Sequence, residues 1–370
     1  MRYEVTIYSQ RRSSYVSAFY AGLFELSAAG DVTLRFARRQ EHRAAARDPV
    51  TLRIDVTAAG NSRPVKVCFD TADWRTVASM EDLLVADVYF KRSYDAPYAA
   101  QLDPLLGAKI VPLGLHYACS SRHESLSQSV RAAFAWQTAS GAWSTAPLDA
   151  AKRVVASPIK CALGRLRAGN SPPFIDEFEA GPLLPAAAKV FYRTRVYGPK
   201  DAPDNFRLGR MDEVNELRAN TVRALKSHFG DRFVGGLRFS AYTQATYPDC
   251  LYPAQSGLRG HVALGRACLI NVNTAGLHDS TSWKIPEYMA ASRCIVSEPT
   301  YYAIPAPVVE GRNYLPFTTP EGCVAACERL LADPAAALAM RRENAEYYRA
   351  HVRPDRLMAR CLQVAVERCP

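Results

Sequence analysis

One stretch of the sequence, residues 271–317, combines acidic, basic and hydroxyl side chains in a pattern that could bind a charged ligand. The apolar run 268–272 predicts a buried strand, residues 276–282 predict a small and polar loop, and the spacing of 285–291 predicts a short helix. In a doubly wound α/β sheet, such a loop lies beyond the carboxyl ends of the strands, where helix N-termini offer N–H groups to phosphate. We therefore expect a ligand site in this stretch.

The length and composition predict a protein of two globular domains. A chain of 370 residues, with 48% hydrophobic and 22% charged residues, is too long for one ordinary core and suits two. No stretch reaches the roughly 18 uninterrupted apolar residues of a spanning helix. The first residues place charges around a strand rather than ahead of an apolar signal core. We therefore expect a cytoplasmic protein.

The net charge of +10 points to an acidic partner. Nucleic acid, anionic lipid and a phosphorylated small molecule all fit this charge. The basic residues are dispersed and no aromatic-basic recognition motif accompanies them, which argues against nucleic acid. The ten cysteines include no C-x-x-C pair, and Cys323 and Cys327 have no histidine or second cysteine pair at zinc-site spacing. Reduced structural thiols are therefore expected.

The first half of the chain alternates strands and helices. Residues 2–9 alternate as a strand, 13–29 have helical spacing that Gly30 ends, and 32–36 predict the next strand. Further strands, with connections long enough for crossovers, are predicted at 51–56, 65–70, 87–90 and 109–113. This half therefore predicts an open parallel sheet covered by helices.

The pattern changes between residues 125 and 184. Residues 151–168 carry five basic side chains among aliphatic ones, which could lie on an anionic membrane surface or form a solvated helix face. Residues 171–185, rich in proline, predict an exposed linker. The predicted division is an N-terminal domain at 1–184, a C-terminal domain at 185–350 and a C-terminal helix at 351–370.

The second half begins afresh with a predicted strand at 189–197 and a long helix at 213–229, which Gly230 closes. A strand at 232–237 and the stretch described above follow. Three predicted helices complete the chain, at 324–331, 335–350 and 355–367. The second half therefore predicts another β-α-β series.

Two such halves, with the richest polar loop in the second, resemble the GT-B fold of nucleotide-sugar glycosyltransferases. Asp279 and Glu287 are eight positions apart, and EYMAASRCIVS from Glu287 resembles the E-A-M-A-x-G-x-P-V-V segment after the second acid of the E-x7-E motif in retaining GT-B enzymes. The tail, with LLADP at 330–334, resembles that family's ending. Here the first acid is Asp rather than Glu, and Ser292 stands where the family usually has glycine.

The resemblance implies two Rossmann-like α/β domains facing across a cleft, with C-terminal helices packing back towards the N-terminal domain. It implies that Glu287 binds the ribose of the donor, because a carboxylate accepts two hydrogen bonds from a vicinal diol, although helix-dipole stabilisation would also explain an acid here. It places Asp279 near the donor sugar, although an N-cap would also explain it. The neighbouring donor-binding candidates are His278, Ser280 and Thr281.

Basic side chains are the candidates for the donor's phosphates. GT-B enzymes commonly stabilise departing phosphate with basic side chains and a helix N-terminus, which implies that no metal ion is needed. Lys284 lies three residues before Glu287 on the same helical face. Arg193 and Arg195 share one face of the first strand of the second half, where a solvated or ion-paired strand would also explain them. Arg218, on the following helix, is expected at the surface.

The first half supplies candidates for the acceptor side. His116 follows a strand and could act as an acid or base or contact the donor sugar. Asp70, at a strand end, forms with Asp73 a pair that could take the proton of an acceptor hydroxyl. A satisfied buried histidine and an ordinary turn would explain these residues without catalysis. Arg11 and Arg12, in the first strand-to-helix turn, could bind an acidic acceptor.

The sequence therefore predicts a cytoplasmic GT-B glycosyltransferase, peripheral on the inner face of the membrane. It would move a sugar from a nucleotide-sugar donor to a hydroxyl of a glycan or glycolipid, with retention at the anomeric carbon. Family habit and the basic charge favour bacterial cell-envelope polysaccharide or lipopolysaccharide synthesis. The alternatives are an inverting enzyme whose base is Asp70, Asp73 or His116, a nucleotide-sugar epimerase, and a non-catalytic binding module of the same fold.

Overall fold

The chain divides into two α/β units, so the predicted α/β class is confirmed. The first unit comprises Met1–Ile175, Ala303–Pro305 and His351–Pro370, and the second comprises Asp176–Tyr302 and Ala306–Ala350. The division after Ile175 precedes the boundary at 184 that the sequence suggested. The computed structural model describes residues 2–9, 13–38, 50–60, 63–125, 127–128, 131–132, 172–201, 208–252 and 257–369.

The first unit is built on a six-stranded sheet that contains every strand predicted for it. The strands are β1 (Tyr3–Ser9), β2 (Val32–Arg38), β3 (Thr51–Ala58), β4 (Val65–Asp70), β5 (Val88–Lys91) and β6 (Ile110–Pro112). Their order is β2-β1-β3-β4-β5-β6, and β3 pairs antiparallel with β1 and β4 while the other pairs are parallel. The fully parallel prediction is wrong at β3, because residues 59–64 are too few for a crossover.

The connections between these strands contain the helices α1 (Ser17–Ala28), α2 (Met80–Val85), α3 (Ala96–Ala99) and α4 (Pro104–Gly107). The long helix α1 buries Phe19 and Leu23, which are four residues apart, against the strands of the sheet. It ends where the sequence predicted, because Gly30 has a φ of +82° that glycine adopts without strain.

The second unit is built on five parallel strands, which are β7 (Ala187–Thr194), β8 (Phe233–Leu237), β9 (Cys268–Asn273), β10 (Cys294–Ser297) and β11 (Leu315–Pro316). Their order across the sheet is β11-β10-β9-β7-β8. The winding of the chain therefore reverses between β7 and β9. In open α/β sheets, ligands bind at this switch point, beyond the carboxyl ends of the strands.

The helices of this half are α5 (Ile175–Phe178), α6 (Leu208–Phe229), α7 (Ala241–Thr246), α8 (Leu258–Ala267), α9 (Lys284–Ala290), α10 (Pro320–Ala332) and α11 (Pro334–Tyr347). The exposed linker predicted at 171–185 is wrong at α5, because Ile175 and Phe178 are buried. The nine described cysteines are free thiols, as predicted, and Cys323 and Cys327 lie in the core of the second unit. No helix in the described residues has the length and apolar character to cross a membrane.

The last helix, α12 (Pro354–Arg368), returns to the first unit and packs against α1. This confirms the predicted packing of the chain's end on the N-terminal domain. The two helices approach closely at Gly22 of α1, where a Cβ atom would lie 2.1 Å from the carbonyl oxygen of Pro354. A side chain at this position would therefore have to displace backbone.

Replacing Gly22 by alanine should destabilise the protein by about 1–3 kcal/mol, because the added methyl group overpacks the contact between α1 and α12. Chemical denaturation measures this loss. Gly181→Ala is the control, because a Cβ atom there would meet nothing closer than 3.9 Å. Equal stability of the two variants would contradict the close approach of the helices.

Candidate functional site

The switch point of the second sheet is organised around Arg218 of α6, which is only 4% exposed. Its Nη1 atom donates to the carbonyl oxygen of Arg195 at 2.7 Å, and its Nη2 atom donates to that of Ala275 at 2.6 Å. Its Nε atom donates to Oγ1 of Thr274 at 3.1 Å. The guanidinium group therefore joins the segments that leave β7 and β9. The surface position expected for Arg218 is wrong, because α6 brings it to carbonyl groups at the strand ends.

Two tyrosines lie near this guanidinium group. The Tyr197 ring lies 4.6 Å from the guanidinium carbon of Arg195 and 5.0 Å from that of Arg218. Burial alone would raise the pKa of Tyr197, but the charges of Arg218 and Arg195 outweigh burial and lower the pKa. The hydroxyl of buried Tyr192 lies 3.2 Å from Oγ1 of Thr274, the same atom that Arg218 contacts. The positive charges of two arginines therefore act on the Tyr197 ring at the switch point.

Lys284, at the start of α9, brings a further positive charge to this place. Its Nζ atom lies 5.9 Å from the ring centre of Tyr192. Burial, then repulsion from Arg218 and, more weakly, from Arg193 and Arg195, together lower the pKa of Lys284 to about 7, against the opposing effect of Glu287. We call Arg193, Arg195, Arg218 and Lys284 the cation cluster.

Two carboxylates act on the cation cluster from a distance, Glu298 on Arg218 and Glu287 on Lys284. Within the described part of the chain, no carboxylate forms an ion pair with Arg195, Arg218 or Lys284. Arg193 lies over the ring of Tyr252, 5.3 Å from its centre, and burial lowers the pKa of its guanidinium group. Such a group of like charges, at the carboxyl ends of the strands, is suited to an anion with several negative oxygens.

The predicted second acid, Glu287, lies in the first turn of α9 and is 8% exposed. Its Oε2 atom is 3.6 Å from Nε2 of His261, which belongs to α8. The His261 ring packs against Phe191 of β7, with 5.1 Å between the ring centres. The sequence analysis missed His261, because a single histidine in a short amphipathic helix is no signal of a site.

The loop between β9 and α9 is held by contacts of its own. Nη2 of Arg210 donates to Oδ1 of Asp279, whose φ of +55° is a left-handed conformation. Tyr302 donates from its hydroxyl to the carbonyl oxygen of His278 at 2.7 Å. In this loop, Ser280 is buried and Thr281 is half-buried. The donor-binding roles of these loop residues stay predictions.

The residue before α9 is not the one that the sequence offered as a cap. Its N-cap is Trp283, which makes no capping bond, so the alternative of an N-cap at Asp279 is wrong. The N–H groups of Lys284 and Ile285 donate to the hydroxyl and carbonyl oxygens of Ser282, at 3.2 and 3.3 Å. These two donors are thus occupied, and the positive charge of the site comes from side chains.

In the first unit, Asp70 is fully buried at the end of β4. Its Oδ1 atom accepts hydrogen bonds from Nζ of Lys91 at 3.2 Å and the N–H of Ala72 at 2.9 Å. Its Oδ2 atom accepts from the hydroxyl of Tyr89 at 2.7 Å and the N–H of Ala78 at 2.8 Å. With four donors, this carboxylate has the environment of a structural residue, and its role as a base stays a prediction.

His116 and Asp73 both lie near Arg92 in the first unit. Arg92 donates to Oδ1 of Asp73, and burial followed by the Arg92 charge lowers the pKa of His116 to about 3. The imidazole is therefore neutral at physiological pH, and its ring lies 5.4 Å from that of Phe19. The catalytic and acceptor roles of these residues stay predictions. Arg11, Arg12 and the basic segment 151–168 lie outside the described residues.

No family model and no curated protein matches the chain. Solved structures with some likeness include UDP-GlcNAc 2-epimerase from Neisseria meningitidis (10% identity, 77% of this chain and 63% of that chain, TM-score 0.38). Others are sucrose-phosphate synthase from Thermosynechococcus elongatus (13%, 93% and 91%, TM-score 0.36) and HepE from Anabaena in complex with UDP and glucose (12%, 76% and 78%, TM-score 0.34). At these scores, the likenesses carry no argument about function.

Replacing Arg218 by methionine should lower the free energy of unfolding by at least about 2 kcal/mol, because buried carbonyl groups lose a charged donor. Arg223→Met, on the same helix, is the matched control. Arg223 forms an exposed ion pair with Asp249 at 2.7 Å, so its loss should cost about 1 kcal/mol or less. Urea denaturation of both variants measures the difference. Equal losses would contradict the bridging role of Arg218.

Proposed function

We propose that the second unit binds the diphosphate of a nucleotide sugar and that the protein is a glycosyltransferase. The observation that carries the proposal is the cation cluster at the switch point, with Glu287 on the same short helix as Lys284. A diphosphate diester offers two negative charges and several oxygens to such a cluster. The resemblance of the segment that begins at Glu287 to retaining GT-B enzymes supports the same reading.

The cation cluster suits the chemistry of a departing nucleoside diphosphate. As the glycosidic bond breaks, negative charge grows on the diphosphate, and side chains fixed in advance stabilise it without reorganisation. The backbone of Arg195 is held by the bond that its carbonyl oxygen accepts from Arg218, and its guanidinium carbon lies 4.6 Å from the ring centre of Tyr197. We propose that these side chains replace a metal ion, so that transfer needs none.

Glu287 supplies the contact to the nucleoside in this proposal. Its buried carboxylate would accept hydrogen bonds from the two ribose hydroxyls, which are donors at adjacent carbons. The negative charge of Glu287 raises the pKa of Lys284, so the two side chains interact electrostatically. Binding of the ribose and of the diphosphate would therefore use neighbouring groups of α9.

The finer parts of the proposal concern the acceptor and the outcome. The acceptor is a hydroxyl of a glycan or glycolipid, and the anomeric configuration is retained, in keeping with the motif that Glu287 resembles. The basic charge of the chain favours an anionic acceptor or membrane face. Bacterial cell-envelope polysaccharide or lipopolysaccharide assembly, at the inner face of the cytoplasmic membrane, is the setting that we propose.

A screen against nucleoside diphosphates and nucleotide sugars tests this function. A ligand that binds the folded state raises the melting temperature, and the best donor should then release its diphosphate in the presence of acceptor glycans. Glu287→Gln and Lys284→Ala should reduce transfer at least about a hundredfold, because each removes a charged contact. Transfer should persist in excess chelator.

The matched controls are Arg312→Ala and Glu343→Gln, which break an exposed ion pair of 2.6 Å that includes no member of the cation cluster. Both controls should transfer sugar at the rate of the wild type. Wild-type turnover of the Glu287 and Lys284 variants would overturn the site. Release of an epimerised sugar without transfer would show that the protein is an epimerase and would contradict the glycosyltransferase proposal.

The affinity for the donor should depend on pH through Lys284. The pKa of this amine is about 7, below its ordinary value, so the free protein loses the Lys284 charge as the pH rises through 7. A bound diphosphate favours the charged form, so affinity should fall by up to about tenfold per pH unit above the pKa.

Titration calorimetry at pH values from about 6 to about 9 measures this dependence, with a nucleotide sugar whose diphosphate does not ionise in that range. Lys284→Arg keeps a charge at all these pH values, so its affinity should be nearly constant. An equally steep pH dependence in the arginine variant would exclude Lys284 as its source.

A further inference from the structure

We propose that His261 is a positioning residue for Glu287 and that it makes the site selective for ligands with a free ribose diol. This inference rests on the function proposed above, because it assumes that Glu287 meets the ribose. The imidazole comes from α8 and the carboxylate from α9, so two helices would build the nucleoside end of the site together.

The surroundings of Glu287 leave it dependent on His261. The two side chains are 9% and 12% exposed, respectively, and the distance from Nε2 to Oε2 is 3.6 Å. Among the described residues, His261 is the only basic side chain within ion-pair distance of Glu287. Removing a carboxylate so far from water is costly unless a hydrogen-bond donor or an opposite charge accompanies it.

The His261 ring is fixed by aromatic neighbours on two elements. Phe191 of β7 meets it at a tilt of 55°, with ring centres 5.1 Å apart. Tyr288 of α9 lies on another side at 6.4 Å, with an angle of 29° between the rings. Both neighbours are buried, so the imidazole has little freedom to turn away from Glu287.

This arrangement assigns the two carboxylate oxygens different tasks. Oε2 faces the imidazole, so the orientation of the carboxylate, and with it the position of Oε1, depends on His261. A pair of vicinal hydroxyls needs acceptors at defined positions, because hydrogen bonds weaken steeply away from a straight approach. The separation of 3.6 Å is slightly long for a hydrogen bond, and such contacts commonly shorten when the ligand binds.

A purely structural histidine would leave a different signature. If His261 only fills space between Phe191 and Tyr288, its replacement by a ring of similar size changes the affinity for all ligands alike or for none. If it positions Glu287, the replacement affects only ligands that carry the diol. The comparison of two ligands on two proteins separates these cases, since the interaction energy between the two changes isolates their coupling.

The experiment uses the full chain, the variants His261→Phe and His261→Gln, and two ligand series. The first series is UDP, ADP, GDP and CDP, and the second is the 2′,3′-dideoxy form of each. Phenylalanine keeps the ring between its aromatic neighbours but has no nitrogen. Glutamine places an amide nitrogen near the position of Nε2, so it can still donate to Glu287. Calorimetry gives the affinities, and chemical denaturation verifies that each variant folds.

The wild type should prefer the ribose form of its best nucleotide by about tenfold or more, the effect of hydrogen bonds to a charged group. His261→Phe should lose most of this preference with unchanged affinity for the dideoxy form. His261→Gln should retain most of it. If the phenylalanine variant does not fold, His261→Asn, whose shorter side chain does not reach Glu287, takes its place with the same expectation.

The outcomes separate this inference from the proposed function. A preference for ribose that survives in the phenylalanine variant, or an equal loss for both ligand series, overturns the role of His261 alone. Absence of nucleotide binding by the wild type overturns the proposed function, and this inference with it. Equal binding of the ribose and dideoxy forms by the wild type would contradict a contact between Glu287 and the ribose diol. It would therefore also contradict the positioning role of His261.

Discussion

The second unit depends on the hydrogen bonds from one buried guanidinium group. Arg218 joins the carbonyl oxygens of Arg195 and Ala275, so it ties the chain leaving β7 to the chain leaving β9. The connections that follow two parallel strands at a switch point turn to opposite faces of the sheet, so the carbonyl groups just beyond the strand ends need other partners. A long cationic side chain from α6 satisfies these groups. The same side chain delivers a positive charge to the place where a ligand binds.

The charge of Arg218 has consequences for its neighbours. It contributes to the lowered pKa values of Tyr197 and Lys284. Because the pKa of Lys284 is about 7, this lysine loses part of its charge near neutral pH. Like charges held together and partly removed from water cost stability in the free protein. A polyanionic ligand offsets that cost, because its oxygens replace the missing counter-charges. The same guanidinium charge of Arg218 thus serves both the hydrogen bonds to carbonyl groups and the binding of an anionic ligand.

Ser292 shows how the chain accommodates a departure from the pattern that it resembles. This residue follows α9 with a φ of +50°, a conformation that favours glycine, which is the family's usual residue there. Its hydroxyl donates to the carbonyl oxygen of Ala180, and Nε of Arg341 donates to its own carbonyl oxygen at 3.1 Å. The hydrogen bonds around the end of α9 thereby hold a left-handed serine in place. Glu287 lies in the first turn of the helix that this serine ends.

The amino-acid sequence alone determined the strands β1 to β9 and the longer helices such as α1 and α6, because apolar periodicity and terminating glycines such as Gly30 act over a few residues. It also singled out Lys284 and Glu287, which are close together on one short helix. The direction of β3, the burial of α5 and the partners of Arg218 were decided only by the tertiary structure. Arg218 bonds to residues 23 and 57 positions away, which no local pattern encodes. The pairing of His261 with Glu287 likewise exists only once α8 and α9 pack on the same sheet.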